Sequence, residues 1–372
     1  FGDGFKAQID PTDANIVYAQ AQYGSLARFD RVTGERLQIT PMPGADENNY
    51  NWNWNSPLII SPHNHQRLYY GAERLFRSDD RGESWTTVSG DLTRKIDRNK
   101  LEVMGRVWSV DAIAKNVSTS TYGALIAVDE SPLLEGLIYA GTDDGLINVT
   151  SDGGKKWSTV DTFRGVPDMS LIEDIIASFH DTDVAYAVID NHKRGDYKPY
   201  VLKTENRGRN WTLISNNLPE RGTAHTIIED HVDPKLLFVG TEFGLFFSNN
   251  GGESWNEMTS LPTIAVRDLE IQRREGDLVI GTFGRGIYIL DDYSPLRTSS
   301  NTLEAEATLF GVRDTWLFVP DARRGWGGKG DWGVGRYTAD NPPYGAVFAY
   351  YLSKDLQSQK EQRRDAEKER AK

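Results

Sequence analysis

SDDRGESW, residues 78–85, packs three acids, an arginine and a tryptophan into eight positions. Taken alone it suits a catalytic site, a metal loop or a turn, and recurrence separates these. The pattern Ser/Thr-x-Asp/Asn-x-Gly-x-x-Trp occurs four times. The copies are Ser78, Asp80, Gly82, Trp85; Thr150, Asp152, Gly154, Trp157; Thr204, Asn206, Gly208, Trp211; and Ser248, Asn250, Gly252, Trp255. Such a recurrence is the mark of a structural unit. The short Asp or Asn accepts bonds from turn N–H groups, with Ser or Thr behind it. Gly takes a backbone conformation that a Cβ disfavours. Trp buries on the order of 200 Å² between strands. The acids of SDDRGESW are turn chemistry.

Each box closes two short apolar runs separated by a turn, as in KLLFVGTEFGLFFSNNGGESW, GLIYAGTDDGLINVTSDGGKKW and RLYYGAERLFRSDDRGESW. VAYAVIDNHKRGDYKPYVLKTENRGRNW has the same order with a longer middle loop. IVYAQAQYGSLARFDRVTGERLQI and DLVIGTFGRGIYILDDYSPL are boxless units at either end. A first strand precedes each unit (PLIISP, GALIAVDES, DIIASFH, HTIIEDH) and a fourth follows the box (WTTVSG, WSTV, WTLIS). Six repeats of roughly 45–70 residues with four strands each predict an all-β fold, a β-propeller of six or seven blades.

The chain has 372 residues, 35 of them Gly, 10 Trp and 16 Tyr. A formal charge of -12 argues against nucleic acid as a partner. The absence of Cys excludes disulfides and thiolate metal sites. No apolar run reaches the length of about 18 residues that a membrane span needs. No metal-ligand spacing, phosphate loop or nucleophile motif is present, so neither a metal nor a cofactor is expected. The ends, FGDGFKAQID and KDLQSQKEQRRDAEKERAK, read as cuts in a longer exported protein. Its signal peptide is expected upstream, and its location extracellular or periplasmic.

On these boxes, on IDPTDANIVY and on GTFGRGIYILDDYSPLR, residues 1–297 resemble the Asp-box (BNR) propellers of bacterial sortilin-like proteins, a group often labelled glycosyl hydrolases. The repeat architecture is similar to sortilin ectodomains and two-propeller xyloglucanases. The resemblance implies a second propeller upstream and a small β-sandwich downstream. Residues 298–345 then form a linker and Gly-rich loop, and 346–372 the first sandwich strand with a charged tail, expected to be solvated or disordered. Two features depart from the pattern. No residue here matches the catalytic acids of xyloglucanases, and no Cys-rich module follows.

Function should sit where each blade's first strand begins, on the face opposite the boxes. NWNWNS brings Trp52, Asn53 and Trp54, and alternation would put both indoles on one side as a sugar platform or pack both under the next blade. Tyr122, His225 and Arg267 are the other candidate ligand-binding residues. Glu173 and Asp268 are the candidate catalytic acids of a glycosidase, which needs two facing carboxyls. The loop 190–200 is a long insertion on the same face. Three functions follow: a recognition propeller for a peptide or glycan, a glycoside hydrolase completed by the upstream propeller, or a non-binding scaffold.

Overall fold

The computed structural model describes residues 3–113, 115, 122–298, 305–315, 317, 344–354 and 356–371. Residues 1–291 and 292–372 form two compact units. The first unit is a six-bladed β-propeller of antiparallel sheets, four-stranded in blades 1 to 5, with three strands in blade 6. The innermost strands are Gly4–Ile9, Leu58–Ile60, Leu125–Glu130, Leu171–Ala177, Ala224–Glu229 and Val266–Gln272. All six line one channel of about 470 Å³.

Blades cohere because the middle strands are apolar on both faces. Ile138–Thr142 and Leu237–Thr241 are buried throughout. Tyr139, Ile172 and Leu202 join blade 3 to blade 4, and Tyr186, Ile227 and Val239 join blade 4 to blade 5. Each fully buried Leu, Ile or Val contributes about 1.5–3 kcal/mol. Buried carboxylates staple the seams. Glu130 accepts from Ser61 Oγ, Tyr69 OH (3.2 Å) and Gly136 N–H (2.9 Å). Glu229 repeats this with Ser178 Oγ (3.0 Å), Phe179 N–H (2.7 Å) and Tyr186 OH (3.2 Å).

The four boxes fold alike, between the third and fourth strands. Ser78 Oγ donates to Asp80 Oδ1 (2.7 Å) and accepts from Gly82 N–H (2.8 Å), while Asp80 Oδ1 accepts from Ser84 N–H (2.9 Å). Thr150 with Asp152, Thr204 with Asn206 and Ser248 with Asn250 repeat that geometry at 2.7–3.0 Å. Trp85, Trp157 and Trp255 donate Nε1–H to a carbonyl of the preceding blade: Ile39, Val88 and Ile214. Gly154 sits at φ +96°, where a Cβ would lie 2.2 Å from the Val88 carbonyl oxygen. The box glycine therefore leaves no room for a side chain against the neighbouring blade.

The terminal blades carry exposed apolar side chains, Ile9 and Phe29 on blade 1, Ile287 and Ile289 on blade 6.

In the second unit Ala307–Leu309 pairs with Tyr350–Leu352. The Gly-rich stretch 323–341 lies outside the described residues. The charged tail is solvated as expected but not irregular. Gln359–Arg370 is a fully exposed α-helix, started by a capping box between Ser358 and Glu361. Side-chain pairs such as Arg363 with Glu367 support it without an apolar face. No helix among the described residues is long and apolar enough to cross a membrane.

Candidate functional site

Four consecutive innermost strands carry a register shift at the same place, between Leu125 and Ala127, Ile172 and Asp174, Ala224 and Thr226, and Val266 and Asp268. A bulge leaves one residue out of the ladder and re-aims its side chain. Those residues are Ile126, Glu173, His225 and Arg267. Ile126, Glu173 and Arg267 line a cavity of about 930 Å³ at the channel mouth, together with Asn53, Trp54 and Tyr122. Loop 190–194 and residues of the segment 98–102 complete its wall. His225 faces an adjoining cavity of about 450 Å³, which shares His192 and Arg267 with the first.

The charges at the mouth are unequal in freedom. Burial, then the nearby Asp190, pushes Glu173 up to about 7, with Arg267 pulling the other way. Glu173 is half-buried and accepts no hydrogen bond among those described, so it is the carboxyl able to hold or release a proton near neutrality. Asp143 is raised to about 6, chiefly by burial. It is tied by the N–H groups of Gly123 and Ala124 (2.9 Å each) and by Asn53 Nδ2 (3.0 Å). Asp190 is occupied by the His192 N–H (2.7 Å) and ring.

Arg267, His225 and Glu242 form a closed ring. Arg267 Nη1 donates to His225 Nδ1 (3.2 Å), His225 Nε2 to Glu242 Oε2 (2.9 Å), and Arg267 Nη2 to the same oxygen (3.3 Å). Burial, then Arg267, holds the His225 pKa below the usual imidazole value.

The NWNWNS segment does not behave as an alternating strand. It has no regular structure over residues 51–53 and a turn at 54–55, so the two indoles part company. Trp52 packs against Tyr70 (4.9 Å between centroids) and Phe76 (5.7 Å), inside the blade 1–2 core. Trp54 meets the edge of Tyr23 (4.9 Å, 75°) and stays at the mouth with Asn53. Asp268 lies in the channel rather than at the mouth, and accepts the Leu269 N–H (3.1 Å). Glu173 lines both cavities; Asp268 does not face it across the mouth. The box residues all lie at the end of a third strand or in the turn after it, and among the indoles Trp211 is the exception: its buried Nε1 has no partner.

Sequence reading missed Arg98, Glu102 and Asp143, and had Asp190 only as part of the loop 190–200. Asp143 sits in TDDG where blade 5 has TEFG, a correspondence visible in the repeats. The 98–102 segment has no counterpart in other blades. No cluster of three or more His, Asp or Glu side chains suited to a metal occurs among the described residues.

Superposition on solved structures finds this propeller fold elsewhere. It is the fold of the GH74 xyloglucanases. A GH74 xyloglucanase from Xanthomonas campestris matches with a TM-score of 0.52 and 20% identity, over 79% of this chain and 45% of that one. A GH74 enzyme from Niastella koreensis matches with a TM-score of 0.53 and 18% identity, over 80% and 46%. At the sequence level a xyloglucanase of Paenibacillus sp. is 25% identical over 217 residues, 54% of this chain and 20% of the relative. The chain matches no protein-family model. It thus spans about one fifth of the curated relative and under half of these solved enzymes.

Proposed function

We propose that the propeller binds a glycan at its channel mouth, as an exported module of a longer protein. The observation that carries this is the mouth cavity. It gathers two aromatic rings, Trp54 and Tyr122, the amides of Asn53 and Asn55, and the charged Glu173 and Arg267 on rigid strand ends. Sugar recognition needs flat apolar faces beside convergent hydrogen-bonding groups, and a concave site of this size supplies both. The likeness to xyloglucanases supports a glycan over a peptide. An open channel and an accessible mouth weigh against a scaffold without a ligand.

Hydrolysis is a second reading, favoured by one observation: Glu173 is poised near neutrality, as a general acid must be. Its partner carboxylate would come from an upstream propeller of the full-length chain, because Asp143 and Asp190 are engaged and Asp268 lies deeper.

Calorimetric titration against xyloglucan, cellulose-derived and pectic oligosaccharides tests both readings, with a peptide library as comparator. Binding weakened about tenfold or more by Trp54→Ala supports the glycan site. Peptide binding with no glycan binding refutes it. Turnover that Glu173→Gln abolishes, without loss of affinity, makes the module catalytic.

A further inference from the structure

We infer that the cavity beside the mouth, between blades 4, 5 and 6, takes the carboxylate of an acidic sugar, so that the glycan is a uronate-containing one. This deepens the glycan reading and rests on it. The pocket holds about 450 Å³ between Tyr197 of the blade 4 loop, Arg221 at the entry to blade 5, Phe243 and Arg267.

Its charges do not cancel. Glu242 is matched by Arg267 within the ring that also holds His225. His225 is a neutral acceptor there, buried and with a depressed pKa. Arg221 is exposed and has no hydrogen-bond or ion-pair partner among the described residues. One guanidinium is therefore left over at a concave site, in a chain whose formal charge is -12. A general attraction for anions cannot arise from such a surface, so selectivity for one would be local. A guanidinium's planar fork matches a carboxylate, and Arg267 retains donor capacity on the same wall.

The rest of the pocket suits a ring. Tyr197 and Phe243 are 52% and 53% exposed, large aromatics held open to solvent at its rim. They are held in place by backbone. Gly222 N–H donates to the Tyr197 carbonyl at 2.9 Å. Gly222 lies at φ +133°, where a Cβ would come 3.3 Å from the Phe243 ring. Preformed walls of this kind lower the ordering cost of binding. Arg267 belongs to both cavities, so a chain lying across the mouth would place one residue here.

The test is calorimetry on the full chain with tetramers of β-1,4-glucuronan, α-1,4-galacturonan and unsulfated chondroitin, each beside its carboxyl-reduced neutral counterpart. At least one acidic tetramer should bind about tenfold tighter than its counterpart. Arg221→Gln, a change at an exposed position, should remove most of that difference by lowering the acidic tetramer's affinity far more than the neutral one's. Equal affinities within every pair, or a preference that survives Arg221→Gln, overturn the inference and leave the glycan reading standing. Silence from every member at millimolar concentration, together with silence from the neutral oligosaccharides above, overturns both.

Discussion

Arg267 on blade 6 donates a hydrogen bond from Nη1 to Nδ1 of His225 on blade 5, at 3.2 Å. That bond exists only while the imidazole is neutral and carries its proton on Nε2, which in turn points at Glu242. The depressed pKa means that below about 6.5 the unfolded chain takes up a proton that the folded chain resists. The stability from this group is complete above pH 6.5 and falls as the pH drops toward the lowered folded value. Denaturant titrations at pH 7 and pH 5 should show the wild type losing stability relative to His225→Gln as the pH falls, a difference that cancels the carboxyls such as Asp129 that change in the opposite sense in both proteins. An unchanged profile in His225→Gln would remove the ring from the account of blade closure.

Asp129 has the opposite sign. Its Oδ2 accepts the Ala177 N–H across the blade seam at 2.8 Å, yet burial pushes its pKa up to about 7 from 3.8. Between these values the folded protein holds a proton that the unfolded chain has lost. The group's contribution therefore declines as the pH rises from about 4 and is lowest above 7. Asp129→Asn keeps an acceptor for Ala177 without the charge. It should stabilise the protein by about 1–2 kcal/mol at pH 8 and much less at pH 4. Equal effects at both values would show that the carboxylate is better solvated by channel water than its surroundings suggest.

Neighbouring glycines of one box should differ sharply. Gly153 (φ +71°) has open space where a Cβ would go, whereas Gly154 (φ +96°) would drive one into the Val88 carbonyl. Gly153→Ala bears only left-handed strain, about 1 kcal/mol. Gly154→Ala adds a backbone clash and should cost about 3 kcal/mol or more. Thermal unfolding of the two variants reads the difference directly.

The box tryptophans permit a comparison in which only one hydrogen bond changes. Trp255 donates to the Ile214 carbonyl at 2.7 Å, while the equally buried Trp211 Nε1 has no acceptor. Losing the indole N–H should cost about 1 kcal/mol more at Trp255 than at Trp211 when each is replaced by Phe. A larger loss at Trp211 would mean that an ordered water satisfies its nitrogen.

The blades were legible because their punctuation is repeated: a turn needing Ser78, Asp80 and Gly82 in fixed order leaves the same trace wherever it recurs. Glu173 and Arg267 were found by laying one blade entry over another. Trp52 and Trp54 were misjudged together, since two-residue alternation holds only on a strand and residues 51–55 are not one. Asp143 was not singled out in TDDG, and Asp190 came in only as the start of the loop 190–200. Their importance comes from which hairpin ends meet at the mouth, a matter of tertiary closure. The register shifts left no trace in composition, because a bulge is an offset between two strands and neither strand records it alone.

Those shifts bear on how the mouth can vary. Ile126, Glu173, His225 and Arg267 each stand outside the pairing ladder of their own blade. Strand register does not depend on pairing at any of the four, although His225 and Arg267 also bond each other across blades 5 and 6. The mouth and its adjoining cavity thus carry one bulged residue on each of four blades, and two of these, His225 and Arg267, are coupled to one another.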